Sequence, residues 1–557
     1  MDLNAAARRG GSWLAGDDTA ERVATLASTT MAGTTFGPGL LPRSGLDQAL
    51  ATGIVAATNH GLVMTSQSAC AALARRLARD DGTPSGRARA YLAQAAVSAG
   101  MAAAGAAAER VLAPRPGEPV RRAMLRTAGQ RGFRAGLAGT AVAAVAAAAA
   151  LGVTVAGLRA AVGYLDHRAE TGGSAIDAAY TNPPDTDTVS GGPASAVTWP
   201  TLSREGVRFV NLALTRQEIA DVTGVPLAQV KAPVRAFAGL ASGPTVDVRV
   251  DLVMEDLARL GAFDRSVLCV ASPTGSGYVN YVAIETLEYL TRGDCATVAL
   301  QYSLRPSFLS LDRVGMAREQ NRALLHALEW RLQGLPEGRR PRLVGFGESL
   351  GAHTMQDAFL HEGVSGLHRV GMDRTLFIGT PADSKWTRQW RVNPEKTDPD
   401  GEVAEVASYA EWLALPADDR ARRRYVLLSH HEDPVTRFEP ALIVQRPGWL
   451  GPAARRPPGI SHLASWYPLT TFVLTLVDVK NAMNVTPGRF APAATTTAPT
   501  WPAWSARHSA CPSRPTRCSP SSTRCGAARP NGPGAASSPS NCTGPRRLSS
   551  ARPGAGA

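Results

Sequence analysis

Ser349 stands at the centre of Gly347-Glu348-Ser349-Leu350-Gly351, a G-x-S-x-G spacing that can present a hydroxyl for attack on a carbonyl. The pentapeptide follows the apolar run Arg342-Leu343-Val344-Gly345-Phe346 and leads into a helical stretch, residues 352–360. A strand that turns so sharply into a helix strains its middle residue. Glycines on both sides let strand and helix pass without a Cβ between them. The serine oxygen then lies near the positive end of a helix, where a developing oxyanion is favoured. The plainer alternative is a glycine-rich turn whose serine only caps the helix.

Two more groups belong to this chemistry. Backbone N–H groups of Thr274, Gly275 or Ser276, in the loop Ser272-Pro273-Thr274-Gly275-Ser276-Gly277, can pair with that of Leu350 to hold a negative oxygen. An acid is expected just past a late strand, to orient a catalytic histidine. His430-His431-Glu432-Asp433-Pro434-Val435 supplies Asp433 there, with Glu432 and Asp478 as weaker candidates. A turn-capping Asp before Pro is the alternative.

The elements that must position these residues alternate. Strands are expected at 234–240, 265–271, 296–302, 342–346, 375–379 and 425–429. Helices are expected at 246–260, 279–290 and about 312–332. Near-continuous apolar strands separated by helices indicate a mostly parallel sheet with helices on both faces, an α/β fold. Open sheets of this kind bind ligands at the carboxyl ends of their strands, where all three groups fall. The reading divides the chain into a helical domain over 1–165, a linker over 166–200 rich in Gly, Pro, Ser, Thr and Asp, a catalytic domain over 201–490 and a tail over 491–557.

The chain has 557 residues and a formal charge of +13, but eight of its arginines fall in residues 491–557, which have no acid and no lysine, so +5 is left for everything before. With four lysines against 55 arginines, and 54 glycines and 40 prolines, the bias points to a GC-rich coding sequence. No basic stripe interleaved with aromatics is present, which sets nucleic acid aside as a partner. Cys70, Cys269 and Cys295 read as small buried hydrophobes. Cys511, Cys518, Cys525 and Cys542 lie in the tail without paired spacing, so no metal site, disulfide framework or cofactor is expected.

Residues 135–158 run 24 positions without a charge, enough to span a bilayer as a helix, though alanine makes insertion marginal. Weaker apolar stretches lie at 22–41, 45–74 and 91–108; a soluble alanine-rich bundle is the alternative. Arg121, Arg122, Arg126, Arg131 and Arg134 precede the strongest span, which makes the leading side cytoplasmic. The basic loop with Arg75, Arg76, Arg79, Arg87 and Arg89 conflicts with a single crossing after it, so span number and orientation stay open. The opening of the chain carries no cleavable secretory signal.

Leu40-Leu41-Pro42-Arg43-Ser44, the 272–277 loop, Gln301-Tyr302-Ser303-Leu304-Arg305-Pro306-Ser307 and Phe346-Gly347-Glu348-Ser349-Leu350-Gly351-Ala352 together resemble the bacterial, largely actinobacterial, membrane-associated α/β-hydrolase family. The resemblance covers residues 36–490. It implies an α/β-hydrolase-type sheet preceded by an all-α membrane domain, Ser349 as nucleophile and Asp433 as acid.

The departure is at the histidine. A Gly-His-Asp/Asn-Tyr-like motif is implied after Val485-Thr486-Pro487-Gly488-Arg489-Phe490, where this chain reads Ala494-Thr495-Thr496-Thr497-Ala498-Pro499-Thr500-Trp501-Pro502. Gly-His-Asp-Tyr-Arg-Ala-Asp-Leu-Ala, written in GC-rich codons and read one nucleotide late, gives that same peptide, which points to a frameshift just before Ala494. The tail's lack of Val, Ile, Phe, Tyr, Lys, Asp and Glu suits an out-of-frame message that cannot build a core. Of the histidines after Asp433, His462 reads as structural or loop-exposed and His508 lies in the tail; His430 and His431 precede the acid and break the Ser…Asp…His order. The expectation is a multi-pass cell-membrane serine hydrolase acting on an ester or lipid-like acyl substrate, impaired by loss of its histidine. The alternatives are an acyltransferase on the same scaffold and a non-catalytic membrane binding protein.

Overall fold

Seven apolar runs between residues 234 and 428 become strands in the computed structural model, which describes residues 19–78, parts of 83–100, and 180–482 apart from 308 and 309. The strands are β1 Val234–Ala238, β2 Val267–Ser272, β3 Cys295–Leu300, β4 Arg342–Glu348, β5 Met372–Ile378, β6 Val403–Val406 and β7 Tyr425–Leu428. They form one sheet in the order β1-β3-β2-β4-β5-β7-β6, and every neighbouring pair is parallel. The helices used below are α1 Thr19–Thr34, α2 Gly45–Ala78, α3 Val246–Arg259, α4 Tyr281–Thr291, α5 Val314–Gln333, α6 Leu350–Asp357, α7 Lys385–Val392 and α8 Thr470–Ala482.

Parallel strands need crossovers, and the crossover helices cover both faces of the sheet, which is why β1, β2, β3 and β7 are buried throughout. Val250, Val253 and Leu257 of α3 pack with Leu324 and Leu328 of α5 and Met355 of α6 on one side. Val282, Ile284 and Leu287 of α4 pack with Phe237 and Cys269 on the other. Strand register decides which loops meet. Ser272 lies opposite Gly347, Glu348 opposite Ile378, and Ile378 opposite Leu428, so the loops after β2, β4, β5 and β7 leave one edge side by side.

Three local differences from the sequence reading have physical causes. β5 begins at Met372 rather than at residue 375, because Asp373 and Arg374 join the strand at its polar, half-buried start. β6 was not foreseen: it is four residues long, exposes Glu405 and lies at the sheet edge, where short charged strands are common. The stretch assigned to a linker is packed structure from residue 180 onward. Val189 pairs with Arg235, Val189 and Val197 enter the core, and Asp256 accepts hydrogen bonds from Ser190 Oγ, Ser195 Oγ (2.7 Å) and Ala196 N (2.7 Å). Its small polar residues form tight turns around one buried carboxylate, and that composition is indistinguishable from a spacer's.

The apolar stretches at 22–41 and 45–74 give α1 and α2, whereas the run at 135–158 lies outside the described residues. Among the described residues no helix is long and apolar enough to cross a membrane. The expected all-α membrane domain therefore has no crossing helix in this part. α2 has the length, but Thr52, Asn59, His60, Thr65, Ser66 and Gln67 dilute it. α1 and α2 dock instead on α8: Ala51 and Val55 pack with Val473, Leu474 and Val477, and Lys480 Nζ donates to Asp47 Oδ1 at 2.7 Å.

Candidate active site

Ser349 has φ 53° and ψ −122°, a left-handed φ that side chains rarely tolerate. Several contacts hold it there. Its N–H donates to Ile378 O across to β5 at 2.8 Å, and its carbonyl accepts from His353 N at 3.2 Å as α6 begins. A Cβ on Gly347 would sit 2.8 Å from both Cα and N of Ala352, and one on Gly351 would press into the carbonyl oxygens of Ser272 and Pro273. Both glycines are thus required by close backbone passage. Ser349 itself is half-buried rather than packed into the interior. Leu350 opens α6, so its N–H has no carbonyl one turn back within the helix.

Beneath the turn lies a buried polar knot that the sequence did not reveal. Asn321 Nδ2, from α5, donates to Ser272 Oγ at 3.0 Å and to Thr354 Oγ1 at 3.3 Å, and those two hydroxyls are 3.1 Å apart. It ties the end of β2 to the middle of α6.

The loop after β2 is equally constrained, and its N–H groups differ. Thr274 N–H donates to Tyr278 O at 2.9 Å and Gly275 N–H to Ser307 Oγ at 3.2 Å, so both are engaged within the structure. Ser276 N–H forms no hydrogen bond among the described residues, while Ser276 O accepts from Gln301 Nε2 at 2.8 Å. The Gln301–Ser307 stretch therefore acts as a buttress behind this loop.

Asp433 lies just past β7, 1% exposed, with Oδ1 accepting from Val435 N at 2.9 Å. Burial pushes its pKa up to about 7. It is also the N-cap of a four-residue helical turn, so the capping alternative is realised alongside any catalytic one. Glu348 is a second buried acid, raised to about 7 by burial and, to a smaller extent, by the charge of Asp433, against a hydrogen bond from Asn280 Nδ2 at 3.1 Å. The other two candidate acids are placed differently. Glu432 turns toward Gly459. Asp478 lies on α8, raised to about 6 by burial, with Oδ2 accepting Leu40 N at 2.8 Å; it pins the Leu40-Leu41-Pro42-Arg43 turn.

No histidine ring among the described residues is hydrogen-bonded to Asp433 or Ser349. His431 Nε2 is 3.3 Å from Glu411, and the exposed His462 Nδ1 is 3.1 Å from Ala453 O. His353, on α6, is buried with Nε2 3.2 Å from Asp357 Oδ2. The peptide at 494–502 lies outside the described residues. Cys269 and Cys295 are free and buried, and burial pushes the Cys269 thiol up to about 12.

The strained serine between β4 and α6, the glycine-bearing loop after β2 and the acid after β7 define an α/β-hydrolase architecture. Comparison with known proteins agrees: residues 234–508 match the alpha/beta-hydrolase family, and residues 117–213 match the N-terminus of the same family. The chain belongs to this α/β-hydrolase family. No curated protein and no solved structure matches it.

Proposed function

We propose that the protein is a membrane-associated serine hydrolase of the esterase or lipase-like kind, working by acyl transfer. The observation that carries this reading is the left-handed Ser349 at the strand-to-helix turn. Ser349 Oγ attacks the acyl carbonyl, and the Leu350 and Ser276 N–H groups face the developing oxyanion. Asp433 orients a histidine supplied by an in-frame C-terminus. Within the loop after β2, Ser276 is the favoured donor because Thr274 and Gly275 already donate elsewhere.

A serine without its base keeps only the residual rate from oxyanion stabilisation and binding, so the chain as it stands is impaired. The family match extends past Ala494 to residue 508, which makes the nucleotide sequence of the locus the deciding measurement. An intact frame with no His-Asp-Tyr codons in the shifted register would end the frameshift explanation. Membrane association rests on the uncharged run at 135–158 and on the exposed Leu26, Phe36, Leu46 and Leu50 of the N-terminal segment.

A second reading, a binding protein that keeps the pocket without chemistry, is favoured by the absence of a ring hydrogen-bonded to Asp433 among the described residues. Fluorophosphonate labelling separates the two. Modification at Ser349, lost in Ser349→Ala, supports the hydrolase. Silence in both the present and a frame-restored chain supports the binding protein. Product analysis with added alcohol then distinguishes hydrolysis from acyl transfer to an alcohol.

A further inference from the structure

At the far end of α6 from Ser349 lies a polar cleft of about 450 Å³, bounded by His361, Glu362, Arg369, Gln389, Asn393 and Lys396 among others. That volume is in the range of small-molecule sites, ~300–1,000 Å³, and the lining residues are polar, charged or glycine, with no large apolar side chain to receive an acyl chain.

The charges around the cleft do not balance. Its one lining carboxylate, Glu362, is already neutralised twice: Oε1 accepts from Arg322 at 3.0 Å and Oε2 from Arg369. Lys396 is exposed and has no partner among the described residues. Among the lining residues, Arg369 and Lys396 against Glu362 leave a surplus of one positive charge. Asp398, next along the chain, does not offset this, because its oxygens accept from Glu402 N and Val403 N at 2.7 and 2.9 Å. The exposed Glu395 is not part of the lining.

The wall is also held in a costly shape. His361 has φ +72°, and two hydrogen bonds fix it there: its N–H donates to Gln389 Oε1 at 3.1 Å, and Gln389 Nε2 is 3.5 Å from its Nδ1. Gly363, at φ +61°, backs directly on Thr397 O, so the two sides of the cleft cannot drift apart without breaking backbone packing. A strained non-glycine residue persists where its surroundings over-determine it, and such residues concentrate at ligand clamps.

We propose that this cleft binds a phosphate monoester. A phosphate group matches the sign of that surplus, and a guanidinium and an ammonium donor suit a tetrahedral anion that accepts from several directions. The site is separate from Ser349, since the eight residues of α6, roughly 12 Å of helix, lie between them.

The test is calorimetric titration of the full chain at low salt with inorganic phosphate and with glycerol 3-phosphate. It runs beside flotation with phosphatidylcholine vesicles made with and without phosphatidic acid. Lys396→Glu is the variant, because Lys396 is exposed and its replacement leaves the core untouched. Binding of the soluble phosphates, weakened at least tenfold in Lys396→Glu, supports the proposal with a soluble ligand. Phosphatidic-acid-dependent flotation that Lys396→Glu abolishes, without soluble binding, supports it with a lipid headgroup. No binding of any probe, or equal binding by parent and variant, overturns it. Ser349→Ala should bind like the parent, so failure of the hydrolase reading and failure of this one are told apart.

Discussion

The two halves of the catalytic edge are built to different degrees. Around Ser349, backbone and side chains interlock: two glycines without room for a Cβ, a cross-strand bond to Ile378, and the Asn321–Ser272–Thr354 knot. Around Asp433 a buried carboxyl accepts from Val435 N, and no imidazole among the described residues hydrogen-bonds to it. A strained turn needs only local packing to exist, whereas a triad needs a ring delivered from elsewhere in the chain. The serine half can therefore form from its own surroundings, while a ring for Asp433 has to come from residues outside the described ones.

The largest effect should come from completing that weaker half. On the proposed frameshift, restoring the reading frame ahead of Ala494 should raise the fluorophosphonate labelling rate at Ser349 on the order of a thousandfold, and Ser349→Ala should abolish it. A restored chain no faster than the present one would mean that the acid half was never catalytic.

Next, the serine half should prove brittle. Gly351→Ala drives a methyl into two backbone carbonyl oxygens that cannot move aside, and should cost about 3 kcal/mol or more in urea unfolding. Gly315→Ala, in α5 with nothing within 4 Å of the added Cβ, should instead stabilise by up to about 1 kcal/mol. Equal effects at the two positions would remove the argument from close backbone passage.

The carboxyls respond to pH in a stated direction. Asp433 is held at about 7 by burial, above its ordinary 3.8, so the folded state binds its proton more tightly than the unfolded state does. Its contribution is full below about pH 4 and is lost as pH rises through about 7. Asp433→Asn should flatten the fall in melting temperature across that window and melt higher than the parent at pH 8. An unchanged slope would assign the pH dependence to other groups.

Smaller still, Asn321→Ala should destabilise by about 1–2 kcal/mol, because it leaves Ser272 and Thr354 without their shared donor. Lys480→Ala should cost less than about 1 kcal/mol, since that lysine is half exposed and its pair with Asp47 is screened.

Much of the fold was legible because its signals are local. The buried strands are continuous apolar runs, and Gly347-Glu348-Ser349-Leu350-Gly351 carries the steric demands of its own turn. β6 was not legible, because four residues with a charge in the third place carry no periodicity. The packed stretch after residue 180 was hidden for a related reason: whether Ser190 and Ser195 are spacer or strap depends on Asp256, some sixty residues away.

The sequence by itself determined six of the seven strands in their order, the serine at its turn and the acid beyond the last strand, because each follows from residue types a few positions apart. Only the tertiary structure decided that Ser276, rather than Thr274 or Gly275, keeps its N–H unengaged among the described residues and that Glu348 is a second buried acid. It alone showed Asp478 belonging to the docking of the N-terminal helices. Those outcomes turn on which groups parallel register and burial bring together, and no spacing along the chain encodes that.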